Sequence, residues 1–207
     1  MDIAWTPWRY AYIAEETPAR AGVPKALSAW QGDLGCVFCN MFAAVRFAVE
    51  NGMPQQEADR AAGIVYRQYA VCVVLNAYPY ASGHCMVTPL EHLPTLHQLP
   101  EETAEEMVRI AQRVDEALYT VYRPDGVNMG INEGKAAGAG VAGHLHMHCL
   151  PRWIGDTNFM TTTAETRVLP ETLDVTWQRL HDALKDEDIS EGLARWAKES
   201  AEKMGPG

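Results

Sequence analysis

Three histidines alternate with apolar residues in the segment GHLHMHCLPRW at residues 143–153. They are His144, His146 and His148. Side chains of a β-strand alternate between its two faces, so this spacing predicts a strand with the imidazoles on one face and the apolar side chains toward the core. A single histidine is usually just hydrogen-bonded, and a His-x-His pair can bind a metal. Three histidines on one face favour a catalytic or metal site.

The middle histidine of this segment, His146, is the natural nucleophile. An imidazole can attack phosphorus as well as act as a base, and it is largely neutral near pH 7, so a lone pair is available. Neighbouring imidazoles can fix its tautomer through hydrogen bonds. His146 alone has a histidine two positions away on each side, and the spacing therefore assigns the attack to it.

A second chemical motif is the Cys-x-x-Cys pair formed by Cys36 and Cys39. Two thiols at this spacing supply half of a tetrahedral zinc site, which needs two more ligands. The alternative is a pair of buried free thiols. A thioredoxin-like redox role is not favoured, because the βαβ pattern that accompanies that role does not follow.

The glycine-rich segment GAGVAG at 138–143 spells G-x-G-x-x-G. A dinucleotide-binding fingerprint must follow a strand and open a helix. This segment instead leads into the histidine strand, so a Rossmann site is rejected. The segment is better interpreted as a loop whose backbone N–H groups can approach a phosphate.

Hydrophobic periodicity predicts the elements that position these motifs. Residues 101–122 form the clearest helix, capped at Thr103 or an earlier residue and ended by the Pro-Asp-Gly sequence at 124–126. Further helices are expected at 40–52, at 54–62 and in the tail from 170, and strands at 64–76, 84–90, about 127–132 and 144–150. The order β-β-α-β-β predicts an α+β fold with an antiparallel sheet and a long helix.

The composition and charge indicate a globular protein and argue against nucleic-acid and membrane partners. Hydrophobic residues make up 47% of the 207 residues, charged residues 21%, and the net charge is −10, which is ordinary for a globular protein but unlike a general nucleic-acid binder. The N-terminal sequence lacks the apolar run of a signal peptide, and apolar runs such as VCVVL at 71–75 are too short to span a bilayer. We therefore expect a cytoplasmic protein with no membrane or nucleic-acid partner.

The histidine segment resembles the signature of the histidine triad family, His-φ-His-φ-His-φ-φ, where φ is apolar. Other segments fit the same family: Asn76 before Gly83-His84, Asn132-Glu133-Gly134 followed by Ala137-Gly138, and Pro151-Arg152. The resemblance implies a single domain over 1–207, with a core at about 36–160, an irregular arm at 1–35 and a helical extension at about 168–207. Two flanking segments, WTPWRY and PRWIGDTNFM, resemble a bacterial subgroup that includes diadenosine tetraphosphate phosphorylases. The aromatic residues of WTPWRY are expected to pack on the core or at a subunit contact.

The resemblance also implies residue roles. His146 would attack the α-phosphorus of an adenine nucleotide to give a nucleotidyl-histidine, which water or inorganic phosphate would then cleave. His148 would hydrogen-bond near His146 and the phosphate, and His84 would lie under the triad and orient it. Asn76 would contact the ribose and Asn132 the α-phosphate. Without the resemblance, both asparagines are equally well explained as turn residues.

Zinc ligands follow from the same resemblance. Zinc-bearing bacterial members take one ligand from a P-x-x-H segment, here ending at His92, and another from the first triad histidine, here His144. The implied site is a zinc ion bound by Cys36, Cys39, His92 and His144. Such a closed site would be structural and would pin the N-terminal arm to the sheet.

The loop before the triad departs from the family pattern. Many members carry Gln and then Ser or Thr there to assist the leaving phosphate, whereas this chain has Ala139 and Gly140. Backbone donors at Gly138, Ala139 and Gly140 are candidate substitutes, as is Lys135, which can equally be a solvated charge. Arg152 and Asp156 are either substrate-side residues or a surface pair, and packing or solvent contact is expected for Cys72, Cys85, His97 and His181.

Together these features predict an enzyme that cleaves dinucleoside polyphosphates, with diadenosine tetraphosphate as the leading substrate and phosphorolysis slightly favoured over hydrolysis. Two alternatives remain open: a purine nucleoside phosphoramidase, and a nucleotide-binding regulatory protein without relevant turnover. A homodimer is implied by the resemblance alone.

Overall fold

The structure is a computed structural model that describes residues 20–156 and 171–185. The α-helices in these ranges are α1 (Val37–Glu50), α2 (Gln55–Ala62), α3 (Glu101–Tyr122) and α4 (Leu173–Lys185). The strands are β1 (Ile64–Arg67), β2 (Val71–Leu75), β3 (Cys85–Pro89), β4 (Gly126–Ile131) and β5 (Met147–Arg152). Neither range contains a helix long and apolar enough to cross a membrane.

The five strands form one sheet in the order β1-β2-β3-β5-β4, and every neighbouring pair is antiparallel. The predicted α+β fold with an antiparallel sheet and a long helix is confirmed. Strand β5, which carries the last triad histidine, lies between β3 and β4. His148 is consequently paired with Met86 of β3 on one side and with Gly130 of β4 on the other.

Each face of the sheet is covered by helices. Along β2, Val71, Val73 and Leu75 point into a core that includes residues of α3 and α4, whereas Cys72 and Val74 point into a second core under α1 and α2. This alternation follows from the period of two in a strand. The apolar residues between the triad histidines pack in the first core, as predicted. The histidine face therefore lies on the side of α1.

The predicted strand at 64–76 is wrong in one respect, because it is two strands joined by a tight turn. Gln68 N–H donates to the carbonyl of Val71 at 2.9 Å, and Ala70 N–H donates to the carboxylate of Glu106 on α3 at 3.2 Å. The turn contains neither glycine nor proline, so the sequence gives no local sign of it. A distant carboxylate stabilises it instead.

The histidine strand also begins later than expected, at Met147 instead of residue 144. The N–H of Leu145 donates to the carbonyl of Leu93 at 2.7 Å, and the carbonyl of Leu145 accepts from the hydroxyl of Thr88 at 3.0 Å. Before β5, these two hydrogen bonds take the place of the regular backbone hydrogen bonds between neighbouring strands. As a result, the first two triad histidines lie on a segment that approaches β5, and only His148 belongs to the strand.

The helix predictions hold with shifted ends. Helix α3 has the predicted bounds and begins after Pro100, so Thr103 does not cap it and instead lies buried in the first turn. Helix α1 begins at Val37, three residues earlier than expected, which places Cys36 at its N-cap. The WTPWRY segment, the end of PRWIGDTNFM and the tail after residue 185 lie outside the described residues. The single-domain organisation stays a prediction.

Candidate active site and metal centre

Four predicted metal ligands come together beneath the start of α1. The ligand atoms of Cys36, Cys39, His92 and His144 all lie within 4.8 Å of one another. The Sγ of Cys39 is 3.2 Å from Nδ1 of His92 and 3.6 Å from Nδ1 of His144, and Sγ of Cys36 is 3.5 Å from that same Nδ1. Around a tetrahedral zinc ion, sulfur and nitrogen ligands are about 3.5 Å apart. These residues could therefore hold a zinc ion.

The tautomer of His144 suits this role. Its Nε2 lies 2.9 Å from the carbonyl oxygen of Pro89. A carbonyl only accepts, so Nε2 carries the proton and Nδ1 presents its lone pair to the cysteines. A backbone carbonyl that fixes the outer nitrogen of a histidine is a common support for a metal ligand.

Burial shifts the pKa values of two residues of the cluster in opposite directions. Burial and the nearby His92 and His146 lower the pKa of His144 to about 4, against the opposing effect of the hydrogen bond to Pro89, and this keeps the ring neutral. Burial and the neighbouring Cys36 raise the pKa of Cys39 to about 12. Metal binding requires a neutral imidazole and a thiolate, so a cation here would have to draw the proton from the thiol.

The tautomer of His146 is fixed by its own chain. Its Nδ1 lies 2.8 Å from the carbonyl oxygen of His144, so Nδ1 donates and Nε2 holds the lone pair. The residue is only 3% exposed, and burial lowers the pKa of its ring. His146 is thus a neutral imidazole whose Nε2 presents a lone pair.

His84 and His148 form an ordered pair beside it. The backbone N–H of Tyr80 donates to Nδ1 of His84 at 3.1 Å, which leaves the proton of the neutral ring on Nε2. That nitrogen is 3.0 Å from Nδ1 of His148, and the bond leaves Nε2 of His148 protonated in turn. The rings of His146 and His148 are 5.0 Å apart. A nitrogen with a free lone pair, on His146, and a donor nitrogen, on His148, therefore lie on neighbouring rings.

The structure brings Asn76 to this pair but leaves the loop candidates apart from it. The amide nitrogen of Asn76 is 3.4 Å from Nε2 of His84, and its Oδ1 accepts from the N–H of Tyr78 at 2.9 Å. Asn132 follows β4 and is partly buried, and in the described ranges it makes no hydrogen bond to the histidines. The loop from Gly138 to Gly140 is mostly exposed.

Two residues that the sequence reasoning missed support the site. Phe38, between the two cysteines, is 3% exposed and packs against the rings of His144 and His146. Asn40 is 1% exposed; its amide donates to the carbonyl of Ala21 and to Asp33, and its Oδ1 accepts from a backbone N–H of the arm. A polar residue on the apolar face of α1 is the sequence signal that could have revealed Asn40.

The remaining candidates make structural contacts, are buried or face solvent. Arg152 pairs with Asp156 at 2.6 Å on the surface. His181 stacks on Trp177 with ring centroids 4.4 Å apart, which confirms packing for that histidine. Lys135 and His97 are exposed, and Cys72 and Cys85 are fully buried.

Fold, metal-ligand cluster and triad together define a histidine triad protein, and the comparisons agree. The HIT domain matches residues 57–153. An AP-4-A phosphorylase of Mycobacterium tuberculosis is 34% identical over 169 residues, which make up 82% of this chain and 77% of that protein. The chain belongs to the histidine triad (HIT) family.

Solved structures show the same fold. A zinc-bound histidine triad family protein from Mycobacterium smegmatis is 30% identical and has a TM-score of 0.54, covering 75% of this chain and 96% of that one. A histidine triad nucleotide-binding protein from Sulfolobus tokodaii is 22% identical with a TM-score of 0.55, covering 73% of this chain and 93% of that one. The second likeness concerns the fold alone.

Proposed function

We propose that this protein cleaves dinucleoside polyphosphates, with diadenosine tetraphosphate as the leading substrate, through a nucleotidyl-histidine on His146. The observation that carries the proposal is the 2.8 Å contact between Nδ1 of His146 and the carbonyl oxygen of His144. It fixes the proton on Nδ1 and points to Nε2 as the nucleophile. The low exposure of the ring keeps it neutral, so no proton has to leave before the attack.

The first step forms a bond between Nε2 of His146 and the α-phosphorus. The bond from that phosphorus to the bridging oxygen breaks, and the oxygen leaves with the bonding electrons as part of ATP. In the second step an oxygen of inorganic phosphate attacks the same phosphorus. The P–N bond then breaks, its electron pair returns to Nε2, the proton of the attacking phosphate is released, and ADP is the product.

The neighbouring residues stabilise the negative charge on the phosphate and orient His148 and the substrate. The protonated Nε2 of His148 donates to a phosphate oxygen, where negative charge develops in the transition state. His84 holds His148 in that tautomer through the 3.0 Å contact. Asn76 binds the ribose and Asn132 the α-phosphate, and backbone N–H groups of Gly138, Ala139 and Gly140 bind the leaving phosphates.

Phosphorolysis is favoured over hydrolysis because the relative at 34% identity is an AP-4-A phosphorylase and the match spans 82% of this chain. In this reaction inorganic phosphate, instead of water, removes the nucleotide from His146. Both reactions share the first step, so the choice depends on which acceptor reaches the intermediate.

We also propose that Cys36, Cys39, His92 and His144 hold a structural zinc ion. With four protein ligands the ion has no open position, so it supplies folding energy and no reaction chemistry. His144 would link this site to the active site, because its Nδ1 faces the cysteines while its carbonyl orients His146.

The test is incubation of the pure, zinc-loaded protein with diadenosine tetraphosphate, with and without inorganic phosphate, followed by separation of the nucleotides. ADP plus ATP that appear only with phosphate would establish the phosphorylase. AMP plus ATP without phosphate would establish a hydrolase and overturn the choice of acceptor.

The matched variants are His146→Asn and His97→Asn. The first removes the nucleophile and is expected to abolish turnover while nucleotide binding persists. The second changes an exposed histidine and should leave turnover unchanged. Normal turnover by His146→Asn, or no cleavage by the unmodified protein, would contradict the proposal.

A further inference from the structure

Tyr122, the last residue of α3, is held firmly by the C-terminal segment. Its hydroxyl donates to Oε1 of Glu171 at 2.5 Å. The guanidinium of Arg179 on α4 lies 5.2 Å from the ring centroid, and Trp153 meets the ring edge-on at 6.5 Å. The ring is thus held by a hydrogen bond at its hydroxyl, by a guanidinium over one face and by an aromatic contact with Trp153.

Glu171 is itself fixed by further donors. Thr176 Oγ1 donates to Oε1 at 2.7 Å, and Arg179 donates to Oε2 at 2.8 Å. Hydrogen bonds to a carboxylate are stronger than those between neutral groups. Both carboxylate oxygens of Glu171 accept hydrogen bonds from other residues, so the carboxylate is held in place. It can therefore anchor the hydroxyl of Tyr122.

The ring of Tyr122 lies directly against Gly83, the residue before His84. A Cβ placed on Gly83 would be 2.7 Å from Cε2 of Tyr122, and Gly83 has a φ of +83°. Both the space and the backbone conformation therefore require glycine. With the ring fixed, the backbone that enters His84 cannot move toward it on that side.

His84 is the residue that this turn must place. Its Nε2 lies 3.0 Å from Nδ1 of His148, within the range of a good hydrogen bond. Its backbone carbonyl accepts from the N–H of Asn76 at 3.1 Å. A shift of the turn by a few tenths of an ångström would lengthen the contact with His148 and also move Asn76.

We propose that Tyr122 is a positioning residue for the triad: anchored by Glu171, its ring fixes the Gly83-His84 turn and through it the orientation of His148. The expected effect on kcat rests on the proposed function, whereas the expected effect on the orientation of His84 and His148 does not. It gives the segment 171–185 a role in the active site, although that segment supplies no residue to the triad.

The test compares Tyr122→Leu, Tyr122→Phe and Glu171→Gln in the zinc-loaded full chain. Tyr119→Leu is the matched control, since this tyrosine lies on the same helix and is 46% exposed. Tyr122→Leu is expected to lower kcat by about tenfold with KM changed less than twofold, the size of effect that loss of precise orientation produces. Tyr122→Phe keeps the ring but loses the anchored hydroxyl, and Glu171→Gln weakens the anchor, so both should lower kcat, though less than Tyr122→Leu does.

The second readout is independent of turnover. Histidine ¹⁵N NMR reports which ring nitrogen carries the proton, and Tyr122→Leu is expected to shift the signals of His148 and His84 while leaving His181 unchanged. Unchanged kcat and unchanged ¹⁵N signals with a lowered Tm would overturn the proposal and leave Tyr122 with a packing role. If Tyr122→Leu does not fold, Glu171→Gln decides the question: smaller shifts of the His148 and His84 signals support the proposal, and unchanged signals overturn it.

The two proposals fail in different ways. Absence of dinucleoside polyphosphate cleavage by the unmodified protein would refute the proposed function only. The ¹⁵N comparison would still decide whether Tyr122 positions His84 and His148.

Discussion

Phe38 packs against His146 with ring centroids 5.3 Å apart and an angle of 48° between the rings. The phenylalanine lies between the two cysteines, so one short segment both supplies thiols to the candidate metal centre and covers the candidate nucleophile. The position of His146 therefore depends on the packing of α1 as well as on the segment that leads into β5.

Phe38→Ala is expected to lower the free energy of unfolding by about 3–5 kcal/mol, as large-to-small changes at buried aromatic residues do. It should also reduce turnover, because His146 loses the ring that confines it. Phe38→Leu fills much of the space and is the matched control. Urea unfolding and initial rates measure both effects, and full activity in Phe38→Ala would show that His146 does not need this contact.

Zinc content is the first property to measure for the metal centre. The unmodified protein should bind about one zinc ion per chain through its four ligands, and Cys39→Ser should lose most of it and unfold at a lower Tm. Cys72→Ala is the control, because that thiol is buried but is not among the four clustered ligands, and zinc should be retained. Elemental analysis and thermal unfolding provide the two values.

Removal of the metal with a strong chelator should lower stability more than it blocks chemistry. The ion has no open coordination position in a four-ligand site, so it takes no part in the reaction. Thermal unfolding and turnover are compared before and after chelation. Complete inactivation at a temperature where the fold is intact would contradict a structural role.

The proposed ribose contact of Asn76 can be separated by mutation from the hydrogen bond that Asn76 makes within its own turn. Asn76→Ala is expected to raise KM by about tenfold, the loss that one hydrogen bond of roughly 1.4 kcal/mol to the ribose would cause. Asn76→Asp keeps the oxygen that accepts from Tyr78 N–H, so it separates the turn from the substrate contact. Equal KM values for all three proteins would remove Asn76 from the substrate site.

Stability should fall in acid partly because of Glu171. Burial alone would raise its pKa, but hydrogen bonds from Tyr122, Thr176 and Arg179 lower the pKa below its ordinary value. The folded state thus binds fewer protons, and the stabilisation is present above the unfolded pKa of about 4.3 and is lost as the pH falls through the lower folded value.

Glu171→Gln should therefore show a shallower loss of unfolding free energy between pH 5 and pH 3 than the unmodified protein. Glu116→Gln changes an exposed glutamate of the long helix and should keep the original slope. Urea unfolding across this range gives the slopes. Identical slopes for Glu171→Gln and the unmodified protein would show that the carboxylate does not couple to folding.

Local patterns predicted much of the fold. The period of α3 marked both of its ends, and the alternation around the histidines placed Leu145 and Cys149 in the core. Such features depend on neighbours along the chain, which the sequence displays directly. Cys36, Cys39, His92 and His144 were also predicted, and the structure brings them together.

Long-range contacts explain what the sequence did not predict. The turn at Ala70 depends on Glu106, and the segment before β5 bonds to Leu93. The support from Asn40 depends on loop residues up to 19 positions away. Homodimer formation and a cytoplasmic location stay predictions, as do the roles assigned to the catalytic and substrate-binding residues.

Cys36 and His144 are neighbours in space but 108 positions apart in the chain. During synthesis the thiols leave the ribosome long before the histidine that completes their cluster. The nascent chain must therefore keep two thiols available until β5 has paired with β3, since closing so long a loop is entropically costly and contacts of this separation form slowly. If the cluster binds zinc as proposed, metal acquisition and the final pairing of the sheet are thus expected to be one late event in the maturation of this protein.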